Sequence, residues 1–347
     1  MKSDNNSKNL PPLIIENIDT FTCPVCEGAL NISDDQEAIK CSKCGQSFSC
    51  ANGIPLLFYF NEREFNKKDV TDTVKSFYEE TPFPNYEDVD SVSSFRKKAE
   101  KSVFARLLDD QVSYNSKVLE AGCGTGQLSN YLSITGQRSV FGTDMCINSL
   151  KLGYEFKEKN NLENVAFLQM NLFRPVFKPE SFDLVICNGV LHHTGDPFGG
   201  FQSILRLVKK NGFIIIGLYH TYGRIVTDIR RLIFRYFGNR FQFLDPRLRD
   251  KTLSDVKRHT WFMDQYKNPH ESKHTIGEVL QWFDKCGVEF INSIPKSNSL
   301  ESFTPEEKLF KANPRGTKFD HFLVQLGMIF TGSKEGGFFT MIGRKKF

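Results

Sequence analysis

The chain has 347 residues, of which 39% are hydrophobic and 33 are phenylalanine, and its formal net charge is +4 at neutral pH. That length suits about two domains with a large core. The slight basic balance does not by itself point to a nucleic-acid partner, and no apolar run approaches the ~18 residues that span a bilayer. The opening Met1-Lys2-Ser3-Asp4-Asn5-Asn6 lacks the basic start and apolar centre of a secretory signal, so a cytoplasmic location is expected.

Residues 1–18 read as a flexible N-terminus and 19–62 as a small metal-binding unit. Two C-x-x-C pairs, Cys23-Pro24-Val25-Cys26 and Cys41-Ser42-Lys43-Cys44, are separated by fourteen residues. Each pair suits a tight turn that points two thiolates inward, and two such turns complete a closed tetrahedral site for structural Zn2+. The alternative, two disulfides, is disfavoured in a reducing compartment. A unit of roughly 50 residues has little core, so bound metal would supply most of its stability. Cys50 falls outside both pairs and reads as a spare or buried thiol. The continuation Cys44-Gly45-Gln46-Ser47-Phe48 and Asn52-Gly53-Ile54-Pro55-Leu56-Leu57 resembles the small zinc-ribbon activator subunit of tRNA, rRNA and release-factor methyltransferases. The resemblance implies such a ribbon fused to a catalytic domain.

Residues 63–114 read as a helical and aromatic leader. In Lys75 to Tyr86 two prolines interrupt any continuous helix, and Phe77, Tyr78, Phe83 and Tyr86 suit an apolar lid or plain packing. Ser94 to Leu108 carries Phe95, Ala99, Val103, Ala105 and Leu107 among charges and predicts one helix leading into a sheet.

Residues 117–144 then spell a nucleotide pocket: an apolar run Val118-Leu119, Glu120, a loop Gly122-Cys123-Gly124-Thr125-Gly126, a helix with Leu128, Tyr131, Leu132 and Thr135 on one face, and a strand Ser139–Thr143 ending at Asp144. Glycines there let main-chain N–H groups approach a ligand closely, and Asp144 is placed to accept both hydroxyls of a ribose. The spacing is G-x-G-x-G with Gln127 in sixth place, which disfavours a dinucleotide. An acid two residues before the first glycine suits a cationic ligand better than a pyrophosphate. The pattern resembles motif I of the class I S-adenosylmethionine (SAM) methyltransferases, E-x-G-x-G-x-G, with Asp144 as the acid of motif II.

That resemblance implies cofactor contacts from Glu120, Gly122, Cys123, Gly124, Gly126, Asp144, Met145, Asn171, Leu172 and Asn188. Asn171 stands where the family usually has an acid beside the adenine amino group, and its amide oxygen can serve. Val165 to Leu172, Ser181 to Asn188 and Phe213 to Leu218 predict further strands, with a helix over Phe201, Ile204, Leu205 and Val208 that stops at Asn211-Gly212. Thr275-x-x-Glu278 opens a helix to Lys285, and Val288–Ile291 and Phe338–Ile342 complete the set. The predicted fold is α/β: a doubly wound, seven-stranded, mostly parallel sheet over 115–347, preceded by the ribbon and interrupted at about 221–274 and 296–334.

Between Thr221 and Thr260 stand ten Arg or Lys against four Asp. On a helical wheel Arg224, Arg231 and Arg235 share one face, with Ile225, Ile229, Leu232, Ile233 and Tyr236 on another. Such a helix would dock by its apolar face and present arginines to phosphate, or rest on an anionic membrane surface, or simply be solvated. His270-Glu271-Ser272-Lys273-His274 spells the zinc-protease motif H-E-x-x-H, but Pro269 precedes it and the helix starts after it, so the motif is rejected. His270, His274 and Asp264, with Tyr78 and Tyr86, remain candidates for the substrate mouth.

Methyl transfer needs alignment more than acid or base groups. Where the acceptor is a hydroxyl or acidic carbon, His192 and His193, after the fourth strand, are the candidate bases, against the plain reading of loop-capping histidines. Asn188-Gly189-Val190-Leu191 is not the N-P-P-Y type loop used on exocyclic amines, and no Pro-Cys pair offers the nucleophile used on cytosine carbon. The expected activity is SAM-dependent methylation of a small molecule, with RNA or a translation component as the alternative acceptor and a non-catalytic SAM-binding scaffold as a third reading.

Overall fold

The computed structural model describes residues 9–60, 70–80, 86, 89, 91–335 and 337–347. The prolines and Phe83 of the expected lid, residues 63–69 of the leader and residues 1–8 lie outside them. A short helix α1 (Pro12–Glu16) precedes an antiparallel ribbon, β1 (Leu30–Ile32), β2 (Ala38–Cys41), β3 (Ser47–Ala51) and β4 (Ile54–Pro55), in that spatial order. Pro11 and Pro12 preset the entry angle of α1, which buries Leu13 and Ile14. The stretch expected to be flexible up to residue 18 is therefore ordered from α1 onward.

Helices α2 (Val70–Glu80), α3 (Val92–Ala99) and α4 (Val103–Gln111) follow. The single helix expected over 94–108 is two, because Ser102 turns its hydroxyl to the Ala105 N–H and caps a new helix rather than continuing the old one.

Alternation then begins: β5 (Lys117–Ala121), α5 (Gln127–Ser133), β6 (Ser139–Asp144), α6 (Ile147–Lys159), β7 (Val165–Gln169), β8 (Phe182–Asn188), α7 (Pro197–Leu205) and β9 (Val208–Tyr219). An inserted group, α8 (Ile225–Phe237), α9 (Pro246–Arg249) and α10 (Asp255–Phe262), separates these from α11 (Ile276–Lys285), β10 (Val288–Ile294), α12 (Lys318–Glu335) and β11 (Phe338–Lys345). The sheet order is β10-β11-β9-β8-β5-β6-β7, with β11 antiparallel to both neighbours and the remaining pairings parallel. The seven-stranded, mostly parallel sheet expected from the sequence is present. Its central strands β8, β5 and β6 are largely buried on both faces, as a parallel sheet sandwiched by helices requires.

One boundary differs. The helix expected to reach Asn211-Gly212 ends at Leu205, and Asn211, at φ +64°, lies inside β9, where the register against β8 shifts. The turn chemistry of Asn-Gly serves a strand irregularity there, not a helix stop.

The ribbon is not a free module. It closes the β7 edge of the sheet: the Leu57 N–H donates to the Gln169 carbonyl at 3.1 Å and the Thr22 N–H to Val176 at 2.8 Å. Phe21 of the ribbon enters the core of the sheet, 4.6 Å from Phe177, which in turn meets Phe141 at 5.6 Å and Phe182 at 4.8 Å. The second insertion is a strap: Lys296 binds Glu307 at 2.6 Å, and Gln111 of α4 holds the main chain at Glu307 and Leu309. Because ribbon and sheet share one aromatic cluster, truncating Phe177 to Ala is expected to cost about 3–5 kcal/mol and to loosen both together. Urea denaturation followed by circular dichroism and by labelling of the buried Cys50 thiol checks this, and the two transitions should coincide.

Candidate active site

A cavity of about 540 Å³ opens at the carboxyl ends of β5, β6, β8 and β9. Its first wall is the loop between β5 and α5. Gly122 and Gly126 hold φ near +77° and +70°, and a Cβ on them would stand 2.3 Å from Val190 and 2.2 Å from Phe167. Only glycine fits. The loop's amides are mostly spent inside the protein. Gly122 and Cys123 donate to the Thr143 carbonyl, Gly126 to Cys123, and Gly124 to Asp144 Oδ2 at 2.9 Å. The glycines thus bring the chain close to the cavity, but those N–H groups are not aimed at a ligand, contrary to the expectation from the sequence. Gly126 caps α5 and does not line the cavity; Glu120, Gly122, Cys123, Gly124, Asp144, Met145, Asn171, Leu172 and Asn188 do.

Asp144 is held by the amides of Gly124 and Cys146, one on each oxygen, which leaves a lone pair on each for two further donors. Burial raises its pKa, and those amides partly offset the effect. Glu120, buried behind the loop, accepts a hydrogen bond from Ser129. Burial pushes its carboxyl up to about 7 against the pull of Ser129, with neighbouring Asp144 adding to the rise. Asn171 is fixed at both ends, donating to the Tyr59 carbonyl at 2.9 Å and accepting from the Phe173 N–H at 3.0 Å. Asn188 Oδ1 is buried and has no hydrogen-bond partner among the described residues, an unused acceptor on the cavity wall.

The opposite wall joins β9 to the first insertion. Asp264 accepts from the Tyr78 hydroxyl at 3.0 Å, from Gln265 at 2.8 Å and, more loosely, from Tyr219 at 3.4 Å. Burial, with Asp264 beside them, keeps both tyrosines protonated far above neutrality. His193 lines the same wall, and its Nδ1 lies 2.8 Å from the His270 carbonyl. A carbonyl only accepts, so Nδ1 carries the proton and Nε2 keeps a lone pair in the neutral ring. Burial lowers the His193 pKa, outweighing Asp264, so the ring is neutral at pH 7. His192, the other candidate base, lies behind it: both ring nitrogens are buried without partners among the described residues, and the ring packs on Tyr219 at 4.1 Å. It does not reach the cavity wall.

The basic face expected of α8 is turned inward. Arg224 is fully buried, grips Glu271 at 3.0 and 2.6 Å and stacks 3.9 Å over the Tyr219 ring, while Arg231 reaches the same Glu271 at 2.9 Å. Burial opposes ionisation of Glu271, but the two arginines outweigh it and hold the carboxyl below the usual range. Of the three arginines only Arg235 is exposed, and it lies outside the cavity. His270 ties the Thr194 carbonyl at 3.0 Å, and His274 bridges Ser272 and Glu278. Neither lines the cavity, and the H-E-x-x-H stretch is not helical. Tyr86 supports the glycine loop from behind, donating to the Thr125 carbonyl at 2.9 Å. Sequence reasoning missed Tyr219, Gln265 and Glu271. Tyr219 was open to discovery as the last residue of a central strand; Glu271 stood inside the rejected H-E-x-x-H stretch, and Gln265 carries no motif.

A family model described as a methyltransferase domain matches residues 113–242. Residues 113–242 carry a methyltransferase domain. Its relatives include a ubiquinone biosynthesis O-methyltransferase of Glaesserella parasuis, 32% identical over 30% of this chain and 45% of that protein. A demethylmenaquinone methyltransferase of Geobacillus stearothermophilus is 25% identical over 52% of this chain and 75% of that one. The chain spans about half the length of the first curated relatives it matches, 48% and 45%. In structure it is similar to a chain of the Haloferax volcanii complex between a Trm112 methyltransferase activator and a methyltransferase, with 13% identity, a TM-score of 0.45, and coverage of 73% and 94% of the two chains.

Beside the methyltransferase domain, the sulfurs of Cys23, Cys26, Cys41 and Cys44 all lie within 4.8 Å of one another, with Cys23 and Cys44 at 3.7 Å and Cys26 and Cys41 at 3.5 Å. Four thiolates about 2.3 Å from one ion have tetrahedral edges near 3.8 Å, so the cluster fits zinc. Main-chain N–H groups of Lys43 and Cys44 point at the Cys41 sulfur, the second shell such a site uses. Replacing Cys41 by Ser should lower bound zinc from about one per chain to a small fraction of that, which elemental analysis of the purified chain measures.

Proposed function

We propose that this chain is a SAM-dependent methyltransferase whose acceptor is a small, largely apolar molecule with an ionisable hydroxyl or acidic carbon. The observation that carries this reading is His193: a neutral imidazole with its lone-pair nitrogen set by the His270 carbonyl, on the wall of the same cavity as Asp144 and the glycine loop. SAM supplies a methyl group on a sulfonium centre. Asp144 would hold the ribose hydroxyls, Glu120 the cationic amino-acid end, and Asn188 a further donor. Tyr78, Tyr219 and Asp264 would orient the acceptor, and His193 would take its proton. The relatives that act in quinone biosynthesis lend support to an aromatic hydroxyl or ring carbon. The ribbon over 19–62, the leader over 63–114 and the domain over 115–347 form one enzyme in this reading, with zinc in a structural role. RNA loses the support of the basic face, since Arg224 and Arg231 are spent inside the fold.

Transfer of tritium from labelled SAM into fractionated cell extract tests the proposal. Label is expected in organic-soluble material, absent with Asp144→Ala and reduced about 100-fold or more with His193→Ala. Label in RNA or protein would overturn the acceptor class, and no heat of SAM binding in calorimetry would overturn the activity.

Glu120 gives a pH test. Its carboxyl titrates near 7 in the folded chain, and a bound cation favours the ionised form. Affinity for SAM should be full above pH 7 and fall as the pH drops through it, by about tenfold for each unit below. Calorimetry across this range measures the slope, which Glu120→Gln should flatten.

A further inference from the structure

Helix α8 buries Phe234 against Phe262 and Tyr266 but leaves a second apolar face in solvent. Ile225, Ile229, Leu232 and Tyr236, spaced to share one face, are all exposed, while Thr227 and Phe234 are buried. Helix α12 also leaves an apolar face in solvent. Phe319, Phe322, Leu323, Leu326 and Phe330 form its outer stripe, whereas His321 and Gln325 face inward. The underside, where Met328 is buried and Val324 packs on the core, is fixed by hydrogen bonds: Gln325 Oε1 accepts from the Ile276 N–H at 3.1 Å and pairs with His220 at 3.2 Å, and His321 donates to the Arg315 carbonyl at 2.8 Å. The apolar stripe is therefore held outward by buried hydrogen bonds on the other side. The two helices pack beside each other, and Phe237, Phe243 and Leu244 extend the patch. These elements hold twelve of the seventeen exposed large apolar side chains among the described residues, so the surface is one face and not a scatter.

We infer that this face docks the enzyme onto an anionic lipid surface. Among the described residues no helix is long and apolar enough to cross a membrane, so the contact is peripheral. Charge selects the occupant. The segment 221–260 has ten basic against four acidic residues, and after Arg224 and Arg231 are set aside as internal and Arg247 as lining the cavity, Arg235, Arg240, Arg249 and Lys251 remain exposed in it against exposed Asp250 and Asp255, joined by Lys318 at the start of α12. Anionic headgroups complement that surplus. A second copy would bring the same positive charge against itself. The inserted segment also supplies Arg247, Trp261 and Asp264 to the cavity, so one element both faces lipid and lines the site.

Flotation of the full, metal-loaded chain with lipid vesicles tests the inference without requiring activity. The chain should float with mixed phosphatidylcholine–phosphatidylglycerol vesicles and not with phosphatidylcholine alone. Leu232→Glu and Phe322→Glu should each reduce partition by about tenfold, with the circular dichroism spectrum unchanged. Arg235→Gln and Arg240→Gln should each lower it by about fivefold, and added salt should mimic them. Absence of flotation, or glutamate variants that float like the parent, would overturn the proposal. So would a lipid-free dimer seen by light scattering that Leu232→Glu dissociates, since the face would then belong to a second copy. Failure here leaves SAM binding and methyl transfer untouched, so the two readings fall separately.

Discussion

A guanidinium with no exposed surface, Arg224, stands where β9 gives way to the inserted helices. It binds both oxygens of Glu271, reaches the side chain of Gln265 and lies against the ring of Tyr219. Gln265 passes the constraint on, donating to the Tyr219 hydroxyl and to Asp264. Desolvating such an ion pair is expensive, and an apolar replacement would often be as stable. The cost is consistent with positioning: without the pair, Glu271 would be a buried unpaired charge, and the insertion would have no fixed angle over the end of the sheet. One half of the cavity follows from this contact, because Asp264, Tyr219 and Tyr78 are ordered through it.

The other half follows from the parallel sheet, and its main features were legible in the sequence. Val118 to Ala121 and Phe182 to Asn188 are apolar runs of strand length, and Gly122, Gly124 and Gly126 sit where a strand must turn sharply into a helix. What the pattern could not reveal was where the loop's N–H groups go. Hydrogen bonds from Gly122, Cys123 and Gly124 return to Thr143 and Asp144, and that closure depends on the neighbouring strand. Boundaries failed where one residue type serves two roles: Ser102 reads as a helix interior and acts as a cap, and Asn211-Gly212 reads as a helix stop and acts inside a strand.

The helix of the first insertion, α8, failed differently: its period was correct and its orientation was not, while α12 in the second insertion was not expected as a helix. A helical wheel tells which residues share a face, and the assumption that the apolar face turns inward supplies the rest. For α8 that assumption is defeated by Glu271, a single acid some forty residues downstream, which draws Arg224 and Arg231 to the inside. For α12 the buried side is held by Gln325 and His321. Polar groups that satisfy one another inside can override hydrophobic patterning when the alternative leaves a charge unpaired. The ribbon shows the complementary case: its cysteine spacing was plain, but its attachment through Phe21 and Leu57 to the β7 edge has no local signature.

The distribution of charge within the cavity bears on its chemistry. Burial keeps His193 neutral and leaves Tyr78 and Tyr219 protonated, so Asp264 is the acid of the acceptor wall, and the tyrosines and Gln265 saturate it with donors. On the facing wall Glu120 and Asp144 supply the acids beside the glycine loop. Under the proposed function a cationic donor would be drawn to that side, and the other wall would offer the acceptor an imidazole lone pair amid apolar and aromatic surface. Proton removal by a neutral base in a dry pocket creates a charge pair, and the anion then faces a cationic methyl donor. Transfer removes both charges of the reacting pair, so a low-dielectric site that disfavours the ionised acceptor also favours its consumption. His192, walled off behind His193 with no access to the cavity, cannot share that task. Adjacent in sequence, the two histidines differ in place: His193 lines the cavity and meets the His270 carbonyl, and His192 does neither.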